Sequence, residues 1–402
     1  MFIEKGYVVK SVVIRSFSAF FVLFLGIILL LFHPFRVHAD GGAPNLAYVA
    51  GTSQGVSAVD VAQQKVTNTL SVNGDPSTIL LSVDGRLLYV TQPALGQVSV
   101  IAPKNKQVVC TRGLPGHPSL LALDPGQDVL YVAGNEANSI TALNPTTCAV
   151  LRTLHISGPV YGLVVAVVGS GISGGSGNQI WVASAHSLTV FDADGKQRAT
   201  VSLSEDPRYL SIPAAGTVYA TTRQGSVLAV DINTHHVSQS LLTGGTFGPM
   251  DYDATTGEVY VPDQQHNVVN VLAPLDVGAT PPHEPRRTLH FDAAPQSIAI
   301  TSDGQLGFAA LNNGTVAMLD IPGRKTINTI NVGGHPHFII TGLYPSLFSL
   351  TPQQSTLLGI LSNLSHYVAA LVIVIITIIV VRLPRQQKPP SPKAPVERKI
   401  NP

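Results

Sequence analysis

The chain has 402 residues, of which 45% are hydrophobic and only 12% are charged. Ordinary soluble domains carry about a quarter charged residues, so this composition excludes a disordered or coiled-coil chain and indicates membrane spans together with a β-rich core. Residues 40–363 hold fourteen Lys and Arg against twenty-one Asp and Glu, a net charge of −7, while the basic excess lies at the two ends. An acidic body argues against a nucleic-acid partner, because affinity for a phosphate backbone depends on Lys and Arg.

Residues 1–39 have the pattern of an export signal. Three basic residues precede an uncharged apolar run over residues 16–32, and Ala39 follows at a small-residue position. This order is typical of a secretory signal peptide, so we predict export with cleavage after Ala39. An uncleaved membrane anchor is the alternative, because the apolar run is nearly long enough to span a bilayer.

Residues 364–383 predict a transmembrane helix. The segment is almost wholly Val, Ile, Leu and Ala, and about twenty such residues span a bilayer. Basic residues from Arg382 onward are expected to stay in the cytoplasm, with residues 384–402 as a disordered Pro-rich tail. Residues 346–363 form a juxtamembrane linker in this interpretation. The body, residues 40–345, is therefore predicted to lie outside the cell on a single span.

Cys110 and Cys148 are the two cysteines of the chain, and both lie in the exported body. An even count in an oxidising compartment permits a disulfide. The sequence leaves a disulfide and two buried thiols as alternatives, because it does not give the distance between the two Cα atoms.

An aromatic-led strand recurs along the body with a period of about forty residues. The aromatic residues are Tyr48, Tyr89, Tyr131, Trp181, Tyr219, Tyr260 and Phe308. Two longer intervals contain insertions, at residues 169–179 and 274–287. Such a period, with four short strands per unit, is the signature of a β-propeller. We therefore predict an all-β fold, a seven-bladed propeller over residues 40–345.

The two ends of the repeat predict how the ring closes. The first aromatic strand, at Leu46, has no innermost strand before it, and a surplus strand at residues 338–343 follows the last unit. We predict that the surplus strand completes the first blade. Closure of this kind removes the unpaired strand edges that an open array would leave.

The repeated Tyr-Val-Ala/Thr strand, the strand ends at Val59-Asp60 and Val230-Asp231, and the proline before each unit together resemble the YVTN-type repeat propellers, which include the YncE-like proteins. The resemblance covers residues 44–345 and implies a WD40-like ring of blades in an extracytoplasmic protein. It is specific for fold and not for function, since such propellers include surface-layer proteins, binding proteins and domains of redox enzymes. Trp181 and the two insertions depart from the pattern.

Residues beside a recurring proline form the candidate site. Proline suits the entry to an innermost strand, because it fixes φ and donates no ladder hydrogen bond. This entry lies at one mouth of a propeller channel, so we expect the flanking side chains to meet there. The candidate ligand- or metal-binding residues are Asp75, His117, Asp206, Arg208, His335 and His337. Imidazole with carboxylate suits Zn, Cu, Fe or Ni, but the sequence has no fixed-spacing metal motif, so the cofactor stays unassigned, and ordinary polar turn residues are the alternative.

The loops between the second and third strands of each unit are rich in Asn and Gln, which suit sugars, peptides or a polar protein surface. The hydrolase motif His-Glu-x-x-His is absent from the sequence, and Gly-x-Ser-x-Gly, at residues 51–55 and 171–175, is not followed by the helical pattern that a nucleophile elbow requires. We therefore predict a membrane-anchored, non-catalytic binding platform for a protein, glycan or small ligand. The alternatives are a metal-dependent enzyme such as a lyase, and a haem or copper redox protein, each using histidines at the mouth.

Overall fold

The computed structural model describes residues 46–342, apart from residues 83, 125, 127, 167–176, 214–215, 276–284 and 286. Its strands are β1 (Leu46–Thr52), β2 (Gly55–Asp60), β3 (Lys65–Ser71), β4 (Ile79–Leu81), β5 (Leu88–Gln92), β6 (Gln97–Ala102), β7 (Gln107–Gly113), β8 (Pro118–Asp124), β9 (Val129–Gly134), β10 (Ser139–Leu143), β11 (Val150–His155), β12 (Gly162–Ala166), β13 (Gln179–Ser184), β14 (Ser187–Asp192), β15 (Gln197–Ser202), β16 (Pro207–Ser211), β17 (Thr217–Thr222), β18 (Ser226–Asp231), β19 (Leu242–Thr243), β20 (Asp251–Tyr252), β21 (Val259–Asp263), β22 (Val268–Leu272), β23 (Arg287–His290), β24 (Pro295–Ile300), β25 (Leu306–Leu311), β26 (Thr315–Asp320), β27 (Lys325–Asn331) and β28 (Phe338–Thr341). A short 3-10 helix, Pro93–Leu95, follows β5.

The described strands form seven antiparallel sheets of four strands each, which are the blades. Blade 2 consists of β4–β7, blade 3 of β8–β11, blade 4 of β12–β15, blade 5 of β16–β19, blade 6 of β20–β23 and blade 7 of β24–β27. Blade 1 combines β28 with β1, β2 and β3, and β28 pairs with β1 so that Ala47 lies opposite Thr341 and Ala50 opposite Phe338. The predicted closure of the ring by the surplus strand is confirmed.

The hydrophobic core of the described residues is a ring of seven clusters, each lying between two neighbouring blades. In each blade, the repeated aromatic residue lies on the second strand from the channel and is buried in one of these clusters. Because each blade is covered on both faces, its middle strands are buried without alternation; all five residues of β5 are buried, for example. The cluster between blades 7 and 1 joins Phe308 and Met318 to Val49 and Ile339, so the two ends of the ring pack like any other pair of blades.

A disulfide joins Cys110 to Cys148, whose Cα atoms are 6.0 Å apart. Cys110 lies in β7, the outermost strand of blade 2, and Cys148 lies just before β11, the outermost strand of blade 3. Outermost strands are partly exposed, as the alternating burial of β3 shows. The disulfide therefore ties two neighbouring blades at their outer edges.

The predicted signal segment 1–39 and the predicted linker, span and tail after residue 345 lie outside the described residues. Within the described part of the chain, no helix combines the length and apolarity that crossing a membrane requires.

Candidate functional site

A cavity of about 260 Å³ lies where the innermost strands of the seven blades converge. Every blade contributes residues to its wall, from Phe338 in blade 1 and Thr78 in blade 2 to Gln296 in blade 7. We call it the mouth cavity. Because all blades share it, its shape depends on the closed ring and not on any single sheet.

The wall of the mouth cavity is built from the residue that follows the recurring proline. Six such residues line it: Ser77, Ser119, Val160, Arg208, Gln296 and His337. In blade 6, the proline itself, Pro249, takes this place. None of the residues that precede these prolines lines the cavity. The structure therefore brings Arg208 and His337 together at the mouth and places the other four candidates elsewhere.

His117 and Asp206, which precede their prolines, contact the loops of neighbouring blades. His117 Nδ1 is 2.9 Å from the carbonyl oxygen of Pro93 in blade 2, and its Nε2 is 3.3 Å from a Glu136 carboxylate oxygen in blade 3. Asp206 Oδ1 is 3.2 Å from His186 Nδ1 in blade 4, and Gln224 Nε2 of blade 5 donates to Oδ2 at 3.3 Å. Both side chains therefore join the loops of two adjacent blades.

In blades 2 and 3, the backbone explains why the two sides of the proline differ. Asp75 and His117 have φ values of 53° and 52°, in the left-handed region. Such a φ turns the chain sharply and ends the alternation of side chains that a strand would continue. In blades 2 and 3 the side chain before the proline consequently stays on the loop, whereas Ser119, which follows the proline of blade 3, belongs to β8 and lines the mouth cavity.

Asp75 and His335 line a separate depression on blade 1, to which His337 also contributes. The backbone N–H of His335 donates to the carbonyl oxygen of Gly51 at 2.8 Å, and His337 Nδ1 lies 3.1 Å from the carbonyl oxygen of His335. Among the described residues, no group of three or more His, Cys, Asp or Glu side chains is arranged to hold a metal ion.

Among the described residues, Arg208 is the only Lys or Arg in the wall of the mouth cavity, and neither Asp nor Glu lines it. Its guanidinium carbon lies 5.9 Å from the centre of the Tyr161 ring, a cation–π distance. Burial raises the pKa of the neighbouring Tyr209, although the Arg208 charge acts in the opposite direction. The Tyr209 hydroxyl therefore stays protonated at neutral pH.

Known structures resemble the fold, whereas the sequence matches no protein-family model and no curated protein. Kuenenia stuttgartiensis hydrazine synthase is 15% identical with a TM-score of 0.56, covering 66% of this chain and 88% of that one. Dihydro-haem d1 dehydrogenase NirN in complex with DHE is 14% identical, with a TM-score of 0.55 and 76% of each chain covered. The β-propeller domain of Myceliophteria thermophila Cps50 (Swd1) is 13% identical, with a TM-score of 0.56, covering 67% of this chain and 90% of that one.

The fold is a seven-bladed β-propeller. At these identities, the similarity establishes the fold and nothing about chemistry.

Sequence reasoning missed two aromatic side chains of the propeller's mouth, Tyr161 and Tyr209. Both lie two residues after a recurring proline, so the same proline pattern could have identified them if it had been extended by one residue.

The amide side chains of the loops between the second and third strands lie in different environments in the structure. Gln264 lines the mouth cavity, whereas Gln92 is buried and donates to the carbonyl oxygen of Asn73 at 2.8 Å.

Proposed function

We propose that this propeller is a membrane-anchored, extracytoplasmic binding protein that holds a ligand in its mouth cavity without catalysing a reaction. The observation that carries the proposal is one cavity walled by all seven blades. A rigid ring of loops around a concave, largely preformed pocket is a common arrangement for ligand binding. Its size favours a small ligand over a protein or a long glycan.

The membrane anchor and the extracytoplasmic location in this proposal rest on the sequence. Residues 364–383 are apolar and are followed directly by basic residues, and residues 1–39 have the order of an export signal. The resemblance to extracytoplasmic YVTN-type propellers supports the same location.

The alternative of a lyase, or of a haem or copper protein, has less support. The candidate histidines of the lyase, His117 and His335, do not line the mouth cavity, and His117 already contacts Pro93 and Glu136. Of the candidate ligands of the haem or copper protein, His335 and His337, only His337 lines it. A non-catalytic role is therefore the better proposal for this geometry.

The proposal is tested by screening small polar compounds for a thermal shift of the full chain in mild detergent. A ligand at about a hundred times its Kd stabilises the folded state by about 2.7 kcal/mol. Ser119→Phe should abolish the shift, because Ser119 lines the mouth cavity and a phenyl ring would fill it. Ser202→Phe is the matched control, since Ser202 is exposed at the end of β15. Shifts that are equal in both variants, or no shift with any compound, would contradict the proposal.

A further inference from the structure

The mouth cavity has a positive charge inside an acidic protein. Of the described residues that line it, Arg208 is the one Lys, Arg, Asp or Glu, while the body carries a net charge of −7. A cleft of one sign with low-dielectric walls concentrates ions of the opposite sign. The local charge therefore favours an anion at this mouth.

The Arg208 side chain is held in place but is not neutralised. Within the described residues, its guanidinium makes no hydrogen bond or ion pair with another side chain. The nearest carboxylates in sequence have other partners: Glu205 accepts from Thr222 and from Ser226, and Asp206 contacts His186. A planar guanidinium in this state offers two parallel N–H donors, which match a carboxylate or a phosphate.

The remaining wall matches hydroxyl groups and a flat apolar face. Gln264, Gln296 and Ser119 supply neutral donors and acceptors. The Tyr161 ring offers an aromatic face beside the guanidinium. Small-molecule pockets commonly measure about 300–1,000 Å³, so a cavity of about 260 Å³ suits a ligand the size of one sugar ring.

We propose that the mouth cavity binds a monosaccharide-sized sugar acid, whose carboxylate pairs with the Arg208 guanidinium and whose hydroxyl groups contact the amides and hydroxyls of the wall. The inference rests on the function proposed above, because it names the ligand class of the same cavity. A sugar phosphate shares the anionic chemistry and is distinguished by the experiment.

The test is isothermal titration calorimetry of the full chain in mild detergent. The ligands are D-glucuronate, D-galacturonate and D-gluconate, with D-glucose and D-galactose as neutral counterparts and glucose 6-phosphate as the phosphate. At least one sugar acid is expected to bind more tightly than its neutral counterpart, and its affinity should fall as ionic strength rises. Arg208→Gln should weaken that binding by about tenfold or more, and Arg208→Lys should restore part of it.

Arg223→Gln is the matched control, because Arg223 is an exposed arginine of the same blade that does not line the cavity. The affinity of the Arg223→Gln variant for the sugar acid should equal that of the wild type. The inference is overturned if no sugar acid binds, if glucose 6-phosphate binds more tightly than every sugar acid, or if Arg208→Gln leaves the affinity unchanged. Neutral compounds that bind, and whose binding Ser119→Phe blocks, would overturn the sugar-acid assignment alone and leave the proposed function standing.

Discussion

Gly162 lets the innermost strands of blades 4 and 5 meet at the mouth cavity. A Cβ atom at this position would lie only 1.8 Å from the carbonyl oxygen of Arg208. Its φ lies outside the left-handed region, so the requirement for glycine comes from this contact and not from backbone conformation. The residue therefore fixes the position of the Arg208 backbone in the wall.

Gly162→Ala should lower the free energy of unfolding by about 1–3 kcal/mol, because the added methyl group must displace a neighbouring strand. Chemical unfolding with urea measures this change. Gly113→Ala is the control, since a Cβ at Gly113 has its nearest contact at 4.0 Å, with the carbonyl oxygen of Gly96. Equal stability of the two variants would show that blades 4 and 5 separate without cost.

Asp251 is a buried carboxyl group between two blades. Its Oδ2 accepts the backbone N–H of Ile300 in blade 7 at 2.7 Å, and burial raises its pKa to about 7. The nearby Asp253 charge acts in the same direction. Between pH 4 and 7, the folded state therefore holds a proton that the unfolded state has lost, and the stability that this group contributes falls as the pH rises through that window.

Asp251→Asn keeps an oxygen acceptor for the Ile300 N–H and removes the titration. The wild type should lose up to about 1.4 kcal/mol of stability per pH unit relative to this variant between pH 4 and 7. Urea unfolding at a series of pH values gives the comparison. Asp292→Asn, at an exposed carboxylate, should follow the wild type. Parallel curves for wild type and Asp251→Asn would mean that Asp251 is ionised throughout.

At the scale of the elements, neighbouring innermost strands are joined by hydroxyl groups as well as by apolar packing. Thr341 of β28 donates to the carbonyl oxygen of Ile300 in β24 at 2.8 Å, across the closure of the ring. Thr78 donates to the carbonyl oxygen of Ser119 at 2.6 Å, from blade 2 to blade 3. These bonds connect blades whose backbones share no sheet, and the bond from Thr78 to Ser119 joins two residues of the cavity wall.

The Cys110–Cys148 disulfide joins blades 2 and 3 at their outer edges and closes a loop with a sequence separation of 38 residues. Cys110→Ser with Cys148→Ser should lower the free energy of unfolding by about 2–4 kcal/mol, chiefly because the unfolded chain regains freedom. Dithiothreitol should destabilise the wild type by a similar amount and leave the double variant unaffected. A wild type that is insensitive to the reductant and carries two reactive thiols would contradict the expectation.

The side of the proline on which the mouth residues lie could not be predicted from the sequence. The pattern placed His117 and Arg208 at equivalent distances from the axis, because both flank a recurring proline. The left-handed φ of His117 and its contacts with Pro93 and Glu136 keep this side chain on its loop and out of the cavity wall. Contacts of this kind join loops about twenty residues or more apart, which a local pattern does not encode.

For the whole molecule, the sequence was informative because the fold repeats. Tyr48 and its six equivalents are buried aromatic residues, one on the second strand of each blade, and they mark the repeat in the sequence. The surplus strand marks the closure of the ring. The role of Gly162 was not predictable, because it depends on the approach of a different blade. Repetition thus reveals the ring, while the chemistry of the mouth depends on residues in which the repeats differ.

The placement of the whole chain leads to the last prediction. The full chain, expressed in a bacterial host, should pellet with membranes and resist carbonate extraction, and protease added to spheroplasts should reach the propeller. Removal of residues 364–402 should release the propeller as a soluble exported protein, because the predicted span is lost. Removal of residues 384–402 alone keeps the span and should leave the chain in the membrane. A soluble full chain, or a propeller protected inside intact spheroplasts, would contradict this placement.

The Cys110–Cys148 disulfide gives an independent measure of export, since it should form in the exported protein. It should be absent when residues 1–39 are deleted, because the chain then stays in a reducing cytosol.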